Sequence, residues 1–166
     1  MKSARALELF SHTSELAIRN PDAGLYRAIE GALNELIGFK LLTILRLKGA
    51  RLVRTHTSDS ATYPSGGYKD ITDDQWLRSI LSDGVPVISE DSTKVRERFV
   101  DHEAIFAMGC GSVLNIPVTS ALGTLGSLNL LHEAYWFKPE HIVLVRPYAL
   151  LLAVPWLAEE AHNRRP

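Results

Sequence analysis

Gly111-Ser112-Val113-Leu114-Asn115-Ile116-Pro117-Val118, followed after a short turn by Gly123-Thr124-Leu125-Gly126-Ser127-Leu128-Asn129-Leu130-Leu131-His132, decides the reading of the fold. Flanking glycines, β-branched residues and short apolar runs mark two strands joined by a tight connection. Both faces of both strands are largely apolar, as in the centre of a sheet covered on its two sides. Asn115, Ser127 and Asn129 interrupt that pattern. A buried amide left unpaired costs about 1–3 kcal/mol. These residues therefore either hold the sheet together or face a ligand. Ser127 and Asn129 are two apart and share a face. The face of Asn115 depends on the register of the Ser120–Gly123 turn, because a one-residue slip reverses it.

Working outward, the 166 residues suit one domain with a full core. A formal net charge of -1 gives no basic field for nucleic acid or anionic lipid, and neither is expected as a partner. Arg164-Arg165 at the tail is a small basic cluster and reads as a solvated end. Met1 to Phe10 lacks the unbroken apolar core of a signal peptide. Ile142 to Ala158 is the most apolar stretch, but Arg146, Pro147 and Pro155 interrupt it, so a buried soluble helix is expected rather than a span. Cys110 is the single cysteine, which excludes an internal disulfide and fits a reducing cytoplasm.

Ala4 to Arg19 has helical spacing, with Leu7, Phe10, Leu16 and Ile18 towards one side; Asn20-Pro21-Asp22 ends it, and Asp22 suits a cap. A second helix runs from about Ala23 to Ile37, with Leu25, Ile29, Leu33 and Ile37 as a core stripe. Phe39–Lys48 and Arg51–Thr57 form a first hairpin, the second strand nearer an edge. Ser58–Asp70 reads as a long irregular crossover with Gly66-Gly67 and two tyrosines. A helix over Thr72–Ser82 follows, with Thr72 and Gln75 spaced as a capping box. Val85-Pro86-Val87-Ile88 reads as a short edge strand. One helix spans about Thr93 to Met108, with Val95, Phe99, Ile105 and Phe106 inward. Pro139 and Glu140 open the last helix, whose apolar residues run almost all round and call for cover on a second face.

Gly109-x-x-Ser112-x-x-x-x-Pro117-Val118, Gly123-x-x-Gly126-x-Leu128-x-Leu130, Phe137-x-x-Glu140, and Gly84-x-Pro86-Val87 before Asp91 stand in an order that resembles a GAF domain along essentially the whole chain. The resemblance implies an α+β fold, with a central antiparallel sheet of five to six strands in one domain over 1–166. The terminal helices, 1–20 and 138–161, would pack on one face, and the crossover helices and loops would close a pocket on the other. It also implies a cytoplasmic sensor of a small molecule, dimeric through its terminal helices. No attached output domain is visible in the chain.

For a pocket, Tyr63 and Trp76 offer aromatic walls, Phe99 and Phe106 an apolar lining, and Asp91, Arg96 and His102 polar anchors. Asn115, Ser127 and Asn129 offer a floor. Trp76, Phe99 and Phe106 would serve a plain core equally well, and Asp91 and Arg96 a solvated helix start. The sequence names no cofactor, no metal site and no ligand. The Asn-Lys…Phe-x-x-x-Asp-Glu pattern of cyclic-nucleotide GAF domains is absent, and Cys110, flanked by glycines, does not match a bilin-attaching cysteine. His102 is a conceivable haem ligand. His102-Glu103 and His132-Glu133 do not continue to His-Glu-x-x-His. The enzymatic alternative is a free methionine-(R)-sulfoxide reductase using Cys110; that family uses three cysteines, so one would need an external thiol. A ligand-free dimerisation module is the third reading.

Overall fold

A computed structural model describes residues 2–19, 21–72 and 74–164. Met1, Asn20, Asp73, Arg165 and Pro166 lie outside them, and with them parts of the first-helix break, the Thr72 helix start and the Arg164-Arg165 tail. The elements run α1 (Lys2–Arg19), α2 (Ala23–Leu36), β1 (Leu41–Lys48), β2 (Arg51–Thr57), β3 (Tyr68–Asp70), α3 (Gln75–Asp83), β4 (Val87–Ser89), α4 (Ser92–Arg98), α5 (His102–Ala107), β5 (Ser112–Ser120), β6 (Gly123–His132) and α6 (Pro139–Asn163). The six strands form one sheet in the order β3-β2-β1-β6-β5-β4, with every neighbouring pair antiparallel. The fold is α+β with a central antiparallel sheet.

The quoted stretch is the middle of that sheet. β5 and β6 are a hairpin, and β6 also pairs with β1 along Leu41–Arg46. A bulge between Val118 and Thr119 settles the register of the turn, and it sets Asn115 directly opposite Asn129. One face carries Leu42, Ile44, Leu114, Ile116, Leu128 and Leu130, all fully buried beneath α2 and α6. Burying each such side chain contributes about 1.5–3 kcal/mol. Gly126 lets α6 come close: a Cβ there would collide with the Leu45 carbonyl oxygen and lie 2.9 Å from the Trp156 ring. Trp156 is 2% exposed, and its indole N–H donates to the Tyr26 hydroxyl at 3.1 Å. The other face meets α3, α4 and α5, with a smaller core of Leu41, Val95, Ile105, Cys110, Val113 and Leu131.

Five local expectations change. On α1 the buried residues are Thr13 and Ala17, while Leu7 and Ile18 are exposed, because α1 rests on α2 and α6 and not on the sheet. Asp22 precedes α2 without a side-chain cap bond. The crossover contains β3, whose residues pair with Arg51–Val53; a three-residue edge strand carries no apolar signal to betray it. α3 begins at Gln75, because Asp74 and not Thr72 caps it, its carboxylate accepting from the Leu77 amide at 2.9 Å. The single helix over Thr93–Met108 is two, since Phe99 adopts extended backbone and stops α4.

Length and apolar content would let α6 cross a membrane. Here it buries Val145, Tyr148, Leu152 and Trp156 in the main core.

Candidate functional site

Between the sheet and α3–α5 lies a cavity of about 60 Å³, measured at the centres of water-sized spheres. That is room for a slender organic molecule or about four waters. Its floor is the row that β1, β6 and β5 bring into register, Thr43, Asn129 and Asn115, with Ser127 one step along.

The floor is a directional hydrogen-bond chain. Asn115 Nδ2 donates to Asn129 Oδ1 at 2.9 Å. Asn129 Nδ2 donates to Thr43 Oγ1 at 3.2 Å and to Ser127 Oγ at 3.1 Å. All four residues are buried. The chain leaves Asn115 Oδ1 without a partner. A buried acceptor in that state costs free energy, and a group in the cavity would recover it. Trp76 Nε1, a buried donor in the same cavity lining, is also unpartnered.

The wall over β2 and β3 is charged. Tyr63 donates its hydroxyl to Asp101, and Lys69 Nζ is 3.0 Å from the same carboxylate. Burial pushes the Asp101 carboxyl up, but the Lys69 ammonium and the Tyr63 hydroxyl outweigh it and hold it below the ordinary carboxylate range. Burial, with Asp101 alongside, pushes the Tyr63 phenol up, so it stays a donor. The Arg54 guanidinium lies over the Tyr63 ring at 3.7 Å. Asp74 also lines the cavity, its carboxylate accepting from the Leu77 amide, and the remaining lining is apolar, with Leu45, Leu52, Leu77, Ile80 and Ile105 among it.

Of the residues singled out in the sequence, Tyr63, Trp76, Phe99, Asn115, Ser127 and Asn129 come together in the cavity lining. Asp91, Arg96, His102 and Phe106 stand outside it. Asp91 caps α4, accepting from the Lys94 amide at 2.9 Å and the Tyr135 hydroxyl at 3.2 Å, so its charge serves the helix end. Arg96 covers the outer side of Phe106, 5.4 Å from its ring centre. His102 Nδ1 donates to the Phe99 carbonyl at 2.8 Å and its Nε2 is 3.3 Å from Glu103, which ties the ring to the start of α5. Phe106 packs on the small core. Arg54, Lys69 and Asp101 were not singled out. Arg54 alternates with Leu52 on β2, so the strand period alone points it inward. Nothing in the sequence pairs Lys69 with Asp101, because β3 brings them together.

Among the described residues, no three His, Cys, Asp or Glu side chains gather as a metal site. Cys110 is 3% exposed in the small core, and burial pushes its thiol up. An activated cysteine has the opposite environment.

No protein-family model and no curated protein sequence matches the chain. Solved structures do. The GAF domain of a phosphoenolpyruvate-protein phosphotransferase from Coxiella burnetii superposes with a TM-score of 0.75 at 13% identity, over 98% of this chain and 99% of that one. The GAF domain of a two-component sensor histidine kinase from Bacillus halodurans gives 0.66 at 16%, over 81% and 95%. A GAF domain from A. aeolicus, solved in an inactive state, gives 0.68 at 10%, over 95% and 99%. At these identities the likeness shows the fold, and its coverage extends over nearly the whole chain. By element order, sheet topology and superposition, the chain has the fold of a GAF domain.

Proposed function

We propose that this chain is a sensory domain that binds a small organic molecule in the cavity between its sheet and α3–α5, without catalysis. The observation that carries the reading is the pair of unpartnered buried atoms, Asn115 Oδ1 and Trp76 Nε1, in the lining of a cavity that joins a polar floor and a charged wall to apolar side chains. Polar groups so placed orient a ligand, while the apolar walls supply affinity. Similar structures come from signalling proteins, a sensor kinase and a phosphotransferase, which agrees with a regulatory role. The single buried cysteine fits a cytoplasmic setting and gives no support to sulfoxide reduction. Native mass spectrometry of freshly purified protein, before and after gentle denaturation, tests the reading. An excess mass lost on denaturation is expected. An apo spectrum, together with no thermal shift from a broad panel of metabolites, would refute it.

The same reading includes a homodimer through the terminal helices. Val143, Leu150 and Val154 are exposed on α6, with Pro147 between them, at the alternating four- and three-residue spacing of a two-helix seam. Leu144 shares a surface groove with Leu7 of α1, and Val154 one with Ile18. Light scattering should report twice the chain mass, and Leu150→Glu should halve it. A monomeric wild type would refute the dimer and leave the sensory reading standing.

A further inference from the structure

Arg54 is 9% exposed and moulded into its surroundings. Its backbone amide donates to the Gly67 carbonyl at 2.8 Å, and its carbonyl accepts from the Gly66 amide at 2.9 Å. Nη1 donates to the Pro64 carbonyl at 2.8 Å. A Cβ on Gly67 would stand 2.7 Å from Nη1, so glycine there makes room for the guanidinium. Yet Nε has no partner, and among the described residues no carboxylate lies within ion-pair distance of Arg54. A buried charge without a counter-charge costs several kcal/mol.

The neighbouring charges are already matched. Lys69 pairs with Asp101, which also takes the Tyr63 hydroxyl. Asp74 faces the positive end of α3 and accepts from its Leu77 amide. Among the described residues of the lining, Arg54 is then the cation with no carboxylate partner, and its geometry suits a carboxylate.

The unpartnered pair lies at the opposite side of the cavity. Asn115 is on β5, three strands from β2. Arg98 holds Trp76 towards the same side: its guanidinium covers the indole at 4.5 Å while bonding to Ile88 and Ser89 of β4. At a strand spacing of about 4.8 Å, β2 and β5 are about 14 Å apart. Between the two ends the floor carries Thr43, Asn129 and Ser127, already bonded to one another, and Leu45, Leu52, Leu77, Ile80 and Ile105 supply apolar lining.

We propose that the ligand is a slender organic monocarboxylate, its carboxylate on Arg54 and a neutral donor–acceptor group, such as an amide, at its far end between Trp76 and Asn115. The proposal rests on the sensory reading of this cavity and names its ligand class. Among the described residues of the lining, a phosphate dianion would find one cation without a carboxylate partner, and an amine would set like charge against Arg54.

Adipamate, adipamide and the matching amino-amide share one amide end and one length, and differ only in the other end. Calorimetry and thermal shift with these three probes test the charge. Adipamate should bind wild type about tenfold or more tightly than either relative. Arg54→Gln should abolish that preference with an unchanged circular dichroism spectrum, and Arg54→Lys should keep it. Equal binding of adipamide, or an acid preference that survives in folded Arg54→Gln, overturns the proposal. Should Arg54→Gln not fold, the wild-type ratio and Arg54→Lys decide. If amides or amines bind and acids do not, the sensory reading stands and the role of Arg54 falls. If all three probes fail on wild type the monocarboxylate proposal falls, and the sensory reading falls with it only if the native spectrum is apo and the broad metabolite panel gives no thermal shift.

Discussion

Replacing Asn129 by leucine keeps the branched side-chain shape but removes every hydrogen bond at the centre of the floor. Asn115 Nδ2 loses its only acceptor, and Asn115 Oδ1 has none to begin with. The whole Asn115 amide would then be buried and unpaired. The Thr43 and Ser127 hydroxyls lose a donor but can turn to other acceptors. One newly orphaned buried amide donor is worth about 1–3 kcal/mol. Asn129→Leu should therefore cost about 2 kcal/mol, a fall in Tm of roughly 4–8 °C for a chain of this size. Asn115→Leu is milder, at about 1 kcal/mol, because it strands the Asn129 carbonyl but also removes an acceptor that is already unsatisfied. The double variant exchanges both partners for apolar groups of similar shape and should lie near wild type, so the two costs are strongly non-additive. Urea titrations followed by tryptophan fluorescence and circular dichroism measure all four corners of this cycle. If the double variant costs the sum of the singles within about 0.5 kcal/mol, the two amides are not coupled and the hydrogen-bond chain described here is wrong.

Gly126→Ala should destabilise by about 1–3 kcal/mol in the same assay, since its methyl meets the Leu45 carbonyl and the Trp156 ring; a neutral result would mean that α6 sits further from the sheet. The Asp101 carboxyl is held below its ordinary value of 3.8 in the folded chain, so the unfolded chain takes up its proton first. The stability it contributes is complete above that value and is lost as pH falls through the lower folded one. Asp101→Asn should flatten the acid limb of the stability profile below about pH 4, and an unchanged limb would refute the pairing with Lys69 and Tyr63. Cys110 should react with an aromatic disulfide reagent at pH 8 only at the rate of opening, and promptly in denaturant; fast labelling of native protein would reopen the redox reading.

Six of the ten residues picked from the sequence meet in one cavity lining, and the elements that carry them account for much of the split. Asn115, Ser127 and Asn129 lie on strands, where a period of two fixes which residues share a face once the register is known. Arg96, His102 and Phe106 lie on two short helices that read in sequence as one, and Asp91 caps the first of them. Phe99 breaks that run and turns His102 and Phe106 away from the direction continuous periodicity would give them. Arg54 escaped notice for a different reason. In a strand with polar alternation an arginine resembles solvent-facing charge, and only the loop that returns over it through Tyr63, Pro64 and Gly67 buries it.

By itself the sequence determined the long helices, the two hairpins and which strands lie at the centre of the sheet. Its apolar periods mark the long helices, the hairpins and the doubly buried central strands, and these depend on neighbours within a few residues. Tertiary structure alone decided where the uncompensated polarity falls. The Val118 bulge brings Asn115 opposite Asn129, β3 joins Lys69 to Asp101 across 32 residues, and the crossover leaves Arg54 buried without a carboxylate. Burial and pairing are properties of the assembled surroundings. The same arginine or asparagine is inexpensive in water and costly inside, so only the assembled chain reveals which of its polar groups still lack a partner.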